Sequence, residues 1–311
     1  MATAKAWVVS VLMGLGHIRA AYPLRGIAHE DIILYGSRRS TPPREYRIWR
    51  RLRKIYYFSS HVGKIPVLGK PLLDLLLAVQ HIQPYYPRRD LSRPNLAVRY
   101  LDRMIERKGL CRGLLQRMDS LPLPRLHSFY ATAMASDRSG AGGENYLLIC
   151  DSDFNRVWVP RQPRAGRLNY LAPCTQVRNR LLAYGVAAER IFLTGFPLPK
   201  ENIGSREGLE ILRTDLFQRL LRLDPKRKFF AYHQRSVLGW LGQSEVPEAA
   251  PGPFNLTFAI GGAGAQCEMA YFILQSLKPA IAARRIRLTI SAGINQLVYE
   301  KLLGYVNRLQ L

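Results

Sequence analysis

Two α/β domains with parallel sheets, the second incomplete, are predicted for this chain by three observations. Strands alternate with helical stretches through residues 1–199, two strand-to-helix turns are rich in glycine, and the strand-helix series after residue 253 is short.

The opening run, Ala6 to Met13, is apolar and rich in β-branched residues, and it ends at Gly14-Leu15-Gly16-His17. Such a run reads as a buried parallel strand turning into a helix that begins near Ile18. Asp31 to Tyr35 reads as the second strand of a βαβ unit. Arg44 to Tyr57 has helical periodicity, with Ile48, Trp49, Leu52, Ile55 and Tyr56 on one face and Arg47, Arg50, Arg51 and Lys54 on the other. Pro71 to Ile82 and Leu96 to Ile105 read as helices on either side of a break at Tyr85-Tyr86-Pro87.

Asn145 to Cys150 is a further apolar strand, followed by Asp151-Ser152-Asp153 and then Val157-Trp158-Val159; Leu168 to Ala172 is another strand. Thr175 to Tyr184 reads as a helix ended by Gly185, and Arg190 to Thr194 as a strand closed by Gly195-Phe196-Pro197. Repeated units with acidic or glycine residues at the strand ends fit a sheet whose site lies along its carboxyl edge. Residues 1–199 form the first domain on this reading. Residues 200–253 then supply a linker helix, Leu209 to Leu223, and a mobile loop, Ser244 to Pro253. Residues 254–311 hold two strands, Phe254 to Ile260 and Ile286 to Ser291, each followed by a helix.

At 311 residues, 48% hydrophobic and 22% charged, the chain is too apolar for disorder and long enough for two domains if one is small. Its longest apolar runs, Ala6 to Leu15 and Leu72 to Val79, fall well short of the roughly 20 residues of a membrane-spanning helix. His17 and Arg19 interrupt what would otherwise resemble an export signal. Cys111, Cys150, Cys174 and Cys267 are scattered, without the spacing of a zinc site or a disulfide framework, so a reducing cytoplasm is expected and no metal. The charge is extreme: 46 Lys and Arg against 22 Asp and Glu give +24. A field of that sign favours polyanions, whether nucleic acid, anionic lipid or phosphorylated substrate.

The loop Gly261-Gly262-Ala263-Gly264-Ala265-Gln266 lies between an apolar strand and a helix start. Glycines there allow a tight turn and a close backbone approach, and the first N–H groups of the helix attract phosphate. A tight connection without a ligand uses the same glycines. Gly14-Leu15-Gly16-His17 makes the same geometry with a histidine added, and an imidazole near its working pKa can accept a proton from a sugar or lipid hydroxyl. Gly14-x-Gly16-x-x-Arg19-Ala20 also has the outline of a dinucleotide fingerprint, but the third small residue is displaced and Asp31 comes too early.

Gly14-Leu15-Gly16-His17-Ile18-Arg19-Ala20-Ala21 resembles the N-terminal loop of monogalactosyldiacylglycerol synthases and of the N-acetylglucosaminyltransferase that completes lipid II. Val186 to Pro197, with Thr194-Gly195-Phe196-Pro197 at its end, is similar to the stretch that closes their first domain, and Gly261 to Gln266 to the loop that opens their second. The resemblance implies a GT-B fold of two Rossmann-like domains about a cleft, with no metal or cofactor, and transfer with inversion. It also implies a nucleotide-sugar donor, expected to be UDP-linked, and a lipid or glycolipid acceptor bound by the first domain. Carried over, His17 is the expected base, Gly14, Gly16 and Arg19 the acceptor loop, and Gly261, Gly262, Ala263, Gly264, Ala265 and Gln266 the donor-diphosphate loop. Asp151 and Asp153 fall in the region where the family carries an aspartate, although helix capping is the competing role for strand-end carboxylates.

Only two β-α units follow the linker, where a full nucleotide-binding half has about six strands, so a truncated donor half with weak or absent activity is expected. The basic helix, with Arg47, Trp49, Arg50, Arg51 and Lys54 as its membrane-facing residues, suits peripheral attachment to the anionic inner face of the plasma membrane. Its rival is an ordinary surface helix with a solvated basic face. A nucleotide-sugar epimerase of the same fold, or a basic nucleic-acid or anionic-surface binder, are the alternative functions. Nucleic acid ranks behind because no recognition signature accompanies the charge.

Overall fold

The computed structural model describes residues 5–62, 81–87, 90–140, 142–204, 209–246, 252–261 and 267–311. The chain divides into two compact units, Met1–Pro197 and Leu198–Leu311.

The first unit is built on a six-stranded, wholly parallel sheet of order β2-β1-β3-β4-β5-β6. Its strands are β1 (Trp7–Val11), β2 (Ile33–Tyr35), β3 (Arg125–His127), β4 (Asn145–Leu148), β5 (Asn169–Ala172) and β6 (Ile191–Leu193). All five residues of β1 are buried, which is why its sequence is a continuous apolar run rather than an alternating one. The helices are α1 (Leu15–Ala21), α2 (Pro43–Val62), α3 (Leu96–Lys108), α4 (Arg112–Met118), α5 (Tyr130–Ser139) and α6 (Thr175–Ala183). Local chemistry sets their ends. The Asn95 side chain accepts from the Val98 N–H at 3.0 Å to start α3, and Gly109, at φ 65°, ends it. Beyond α6 the chain reverses at Gly185, whose N–H reaches the Leu182 carbonyl. The expected helix over Pro71 to Ile82 falls outside the described residues for its positions 71–80.

Among the described residues of this unit three arginines are buried, and each does a different tethering job. Arg125 on β3 pairs with Asp119 at 2.6 Å and donates to the Ser136 hydroxyl of α5 at 3.1 Å. Arg156 uses carbonyls instead: its guanidinium donates to those of Ser92, Val159 and Pro160, pinning two loops together. Arg180 on α6 grips both oxygens of Asp153 at 2.8 Å, donates to the Gln83 carbonyl, and lies 3.9 Å from the centre of the Tyr85 ring.

Gly142 shows how closely Arg125 is packed. A Cβ at that position would run into the Arg125 guanidinium, and its φ of +86° already disfavours any other residue. Gly142→Ala is therefore expected to destabilise the first unit by about 2–4 kcal/mol in urea unfolding, through strain and overpacking together.

The second unit contains α7 (Lys200–Ile203), a helical pair α8 (Leu209–Leu223) and α9 (Lys228–Leu241), and then β7 (Phe254–Ala259), α10 (Cys267–Ala282), β8 (Ile286–Ser291) and α11 (Gln296–Arg308). β7 and β8 pair in parallel from Phe254↔Ile286 to Ala259↔Ser291, a single β-α-β crossover. Two small cores hold it: Phe217, Leu221, Phe230, Leu238 and Leu241 between α8 and α9, and Ile260, Ala270, Val298 and Leu302 beside the strands. Both sheets are thus parallel and the fold is α/β, with the second sheet small.

Candidate functional site

In the strand order β2-β1-β3, the chain leaves β1 toward β2 on one side and later returns to β3 on the other. The crevice beyond the carboxyl ends of β1 and β3 is therefore the topological switch point, where open parallel sheets bind ligands. His17 sits there. It stands in the first turn of α1, which follows β1 through the turn Leu12 to Gly14, and its Nδ1 lies 2.9 Å from the carbonyl of Ser128, the residue after β3. Ser128 is itself fixed across the switch point by its N–H to the Val9 carbonyl and its hydroxyl to the Ser10 hydroxyl, both at 3.0 Å.

That contact fixes the tautomer. A carbonyl oxygen only accepts, so Nδ1 carries the proton and Nε2 keeps its lone pair. The Cys150 sulfur, just past β4, stands 3.1 Å from the same Nδ1 as a weak acceptor. Burial holds the His17 pKa below the usual 6.5, against the opposing pull of the Asp151 charge and the Ser128 carbonyl. A neutral imidazole at pH 7 follows. Burial, helped by Asp151, pushes the Cys150 thiol up to about 12, so it remains a thiol rather than a nucleophilic thiolate.

Aromatic rings wall the site. Phe129 meets the His17 ring edge-on at 4.9 Å, Trp158 lies 5.9 Å from it, and Tyr130 bridges between them at 4.2 Å from Phe129 and 5.2 Å from Trp158. Ser128, Phe129, Tyr130 and Cys150 were not singled out in the sequence. Their signal is weak because β3, Arg-Leu-His, is three residues long and carries two polar side chains.

The predicted acceptor loop has an informative property. Gly14 has an extended backbone at φ 163°, and among the described residues a Cβ on Gly14 or Gly16 would meet nothing within 4 Å. Neither strain nor packing demands glycine at these two positions. Leu15 and Arg19 are exposed. The turn is held from the far side by α2, whose Arg53 donates to the Leu12 carbonyl at 3.1 Å.

The two candidate aspartates have different lives. Asp151 is exposed at the end of β4 and acts electrostatically on His17. Asp153 is committed to structure: besides Arg180 it accepts from the Phe154 N–H at 2.9 Å and from the Gln176 amide at 3.3 Å. In the second unit Gly261 is described, with open space where its Cβ would be, and Gly262, Ala263, Gly264, Ala265 and Gln266 lie outside the described residues.

On α2 the cations Arg47, Arg50, Arg51 and Lys54 are exposed, together with Arg38, Arg39 and Arg44 nearby. Trp49 corrects the sequence reading: it does not face a membrane. It is 2% exposed, edge-on to Tyr35 at 6.0 Å and 6.1 Å from Phe129, because the apolar face of α2 is the face that packs on the sheet. Glu45 anchors the same face, accepting from the Tyr35 hydroxyl at 2.7 Å and the Gly113 N–H at 2.8 Å. Trp49→Ala is accordingly expected to cost about 3–5 kcal/mol of stability in urea unfolding, the range for emptying a buried aromatic site.

A cavity of about 450 Å³ lies elsewhere, among α3, α5 and the 160–167 loop. It includes none of the predicted site residues, and its charged groups are largely used internally: Arg138 pairs with Glu106, and Asp137 accepts from the Arg167 N–H at 2.8 Å. Among the described residues no three His, Cys, Asp or Glu side chains are grouped to hold a metal ion, and no helix is long and apolar enough to cross a membrane. In comparisons with protein-family models, curated proteins and solved structures, nothing matches this chain.

Proposed function

We propose that this chain is a metal-independent, inverting glycosyltransferase of the GT-B type that moves a sugar from a UDP-linked donor to a lipid-linked acceptor at the cytoplasmic, anionic face of the plasma membrane. The observation that carries the reading is the state of His17: neutral, with Nδ1 tied to the Ser128 carbonyl and Nε2 left as a base at the switch point.

In the proposed step the acceptor hydroxyl gives its proton to His17 Nε2 while its oxygen bonds to the anomeric carbon. The bond from that carbon to the nucleoside diphosphate breaks, and its electron pair leaves with the phosphate. The imidazolium that forms is held by the Ser128 carbonyl and favoured by the Asp151 charge. The unneeded glycines at 14 and 16 make sense as room for the acceptor's approach. The aromatic wall of Phe129, Tyr130 and Trp158 offers apolar faces for a sugar or lipid. By the resemblance, Gly261 to Gln266 bind the donor diphosphate, and the exposed cations of α2 contribute attraction to anionic lipid.

The test is direct. A panel of UDP-sugars is incubated with vesicles carrying diacylglycerol or a polyprenyl-pyrophosphate acceptor, in chelator, and UDP release is followed with labelled product. Slow acceptor-dependent UDP release is expected, since the described part of the second unit holds two strands where a full donor half has about six; none across the panel, with the chain folded, counts against the reading.

A further inference from the structure

We infer that α9 is an interfacial helix whose exposed aromatic stripe docks on an anionic lipid bilayer. The inference shares the membrane partner of the proposed function and is independent of its sugar chemistry.

α9 has two apolar faces, and only one is covered. Phe230, Leu238 and Leu241 pack against Phe217 and Leu221 of α8. At roughly 3.6 residues per turn, Phe229, Tyr232, His233, Ser236 and Trp240 fall on a second, contiguous stripe. Phe229, Tyr232 and Trp240 are 42%, 87% and 52% exposed, and the Phe229 and His233 rings stack 4.8 Å apart along it. Surface helices ordinarily present polar residues on the uncovered side, so three aromatics in one open stripe mark a surface that meets something.

Charge and residue type choose the partner. On the same wheel Lys228 and Arg235, both exposed, run beside Tyr232 along one edge of the stripe, and α9 contains no Asp or Glu. Cations flanking a Trp and Tyr stripe match the layered chemistry of a bilayer surface, with anionic head groups outside and an aromatic-accepting zone just beneath. The net charge of +24 reinforces the match. α2 suits this part less well, since Trp49 on its apolar face is buried and its exposed apolar contribution among the described side chains is Ile55, at 50%.

The chain supplies its own reporter. Of its four tryptophans, Trp7, Trp49 and Trp158 are 2%, 2% and 5% exposed, so a polarity-dependent change in emission comes from Trp240. The full chain is titrated with phosphatidylglycerol-rich vesicles and with pure phosphatidylcholine vesicles while sedimentation and tryptophan emission are followed. With the anionic vesicles, co-sedimentation, a blue-shifted emission and reduced acrylamide quenching are expected, weakening as salt rises; with neutral vesicles the response is small. Tyr232→Ser combined with Trp240→Ser alters only exposed positions, keeps the melting temperature, and is expected to weaken partitioning tenfold or more, about the weight of one lost aromatic contact. Binding without any change at Trp240, no binding at low salt, or a blue shift that grows with protein concentration in the absence of lipid each overturns the inference. Sugar transfer to a soluble acceptor analogue that persists while vesicle binding fails would sink this inference alone. A Trp240 response without transfer would sink the proposed chemistry alone.

Discussion

His17→Ala lowers acceptor-dependent UDP release by about 10² to 10⁴-fold, the usual weight of a positioned general base, while the fold stays intact. The side chain is half-buried and its tie to the Ser128 carbonyl is worth about 1 kcal/mol, so a melting curve separates lost chemistry from lost structure. Because the base acts in its neutral form and burial lowers its pKa, the acid limb of kcat/KM lies below 6.5, with more than half of the activity left at the pH at which an exposed histidine would already be half protonated. Cys150→Ala supplies the control. It removes a sulfur 3.1 Å from Nδ1 and leaves the Ser128 tie, so activity should change by only a few-fold. If Cys150→Ala abolishes turnover as His17→Ala does, the proton-transfer role given to His17 is wrong.

The second large effect is on acid stability. His127 on β3 is buried, its Nδ1 within 3.1 Å of the Thr132 hydroxyl. That hydroxyl donates to the Phe129 carbonyl at 2.9 Å, so Nδ1 is the donor to Thr132 and the imidazole sits there neutral. Burial, and then the neighbouring Arg125 charge, depress its pKa from 6.5 to about 3. Between those values the unfolded chain holds a proton that the folded chain refuses. Stability is therefore complete above pH 6.5 and is lost as pH falls toward 3, at about 1.4 kcal/mol per pH unit and about 5 kcal/mol in all. Trp240→Phe restricts the fluorescence to the three tryptophans of the first unit. In that background, urea unfolding at a series of pH values should show the slope. His127→Asn should be less stable at pH 7 yet flatter toward acid; an unchanged slope would place the acid sensitivity elsewhere.

Much of the first sheet was legible in the sequence because its strands are apolar runs with abrupt ends. β1, β2, β4, β5 and β6 all fall inside segments read as strands and α6 inside a segment read as a helix, while α2 and α3 cover their predicted segments and run beyond them, to Val62 and Lys108. β3 was not legible, since Arg125 and His127 are polar residues paid into the core through Asp119, Ser136 and Thr132, partners visible only after folding. α5, rich in Ala and Ser and covered on nearly every side, has little amphipathic contrast to reveal it. With β3 hidden, the strand order and the switch point were hidden too. His17 could be picked out from its turn, but Ser128, which fixes its tautomer, could not. Trp49 was misread for a related reason: a helical wheel shows that a face is apolar, and only packing shows what covers it.

The buried arginines change what the net charge means. A count of +24 treats every cation as part of an outward field, yet Arg125, Arg156 and Arg180 point inward and donate to carbonyls, carboxylates and a hydroxyl. They behave as branched cross-links between segments distant in sequence, Ser92 to Pro160 and Gln83 to Asp153, which a lysine's single ammonium could not span. The arginine richness of this chain is therefore partly architecture: recoding those three positions as lysine would leave every charge count untouched and unpick the joints between its loops.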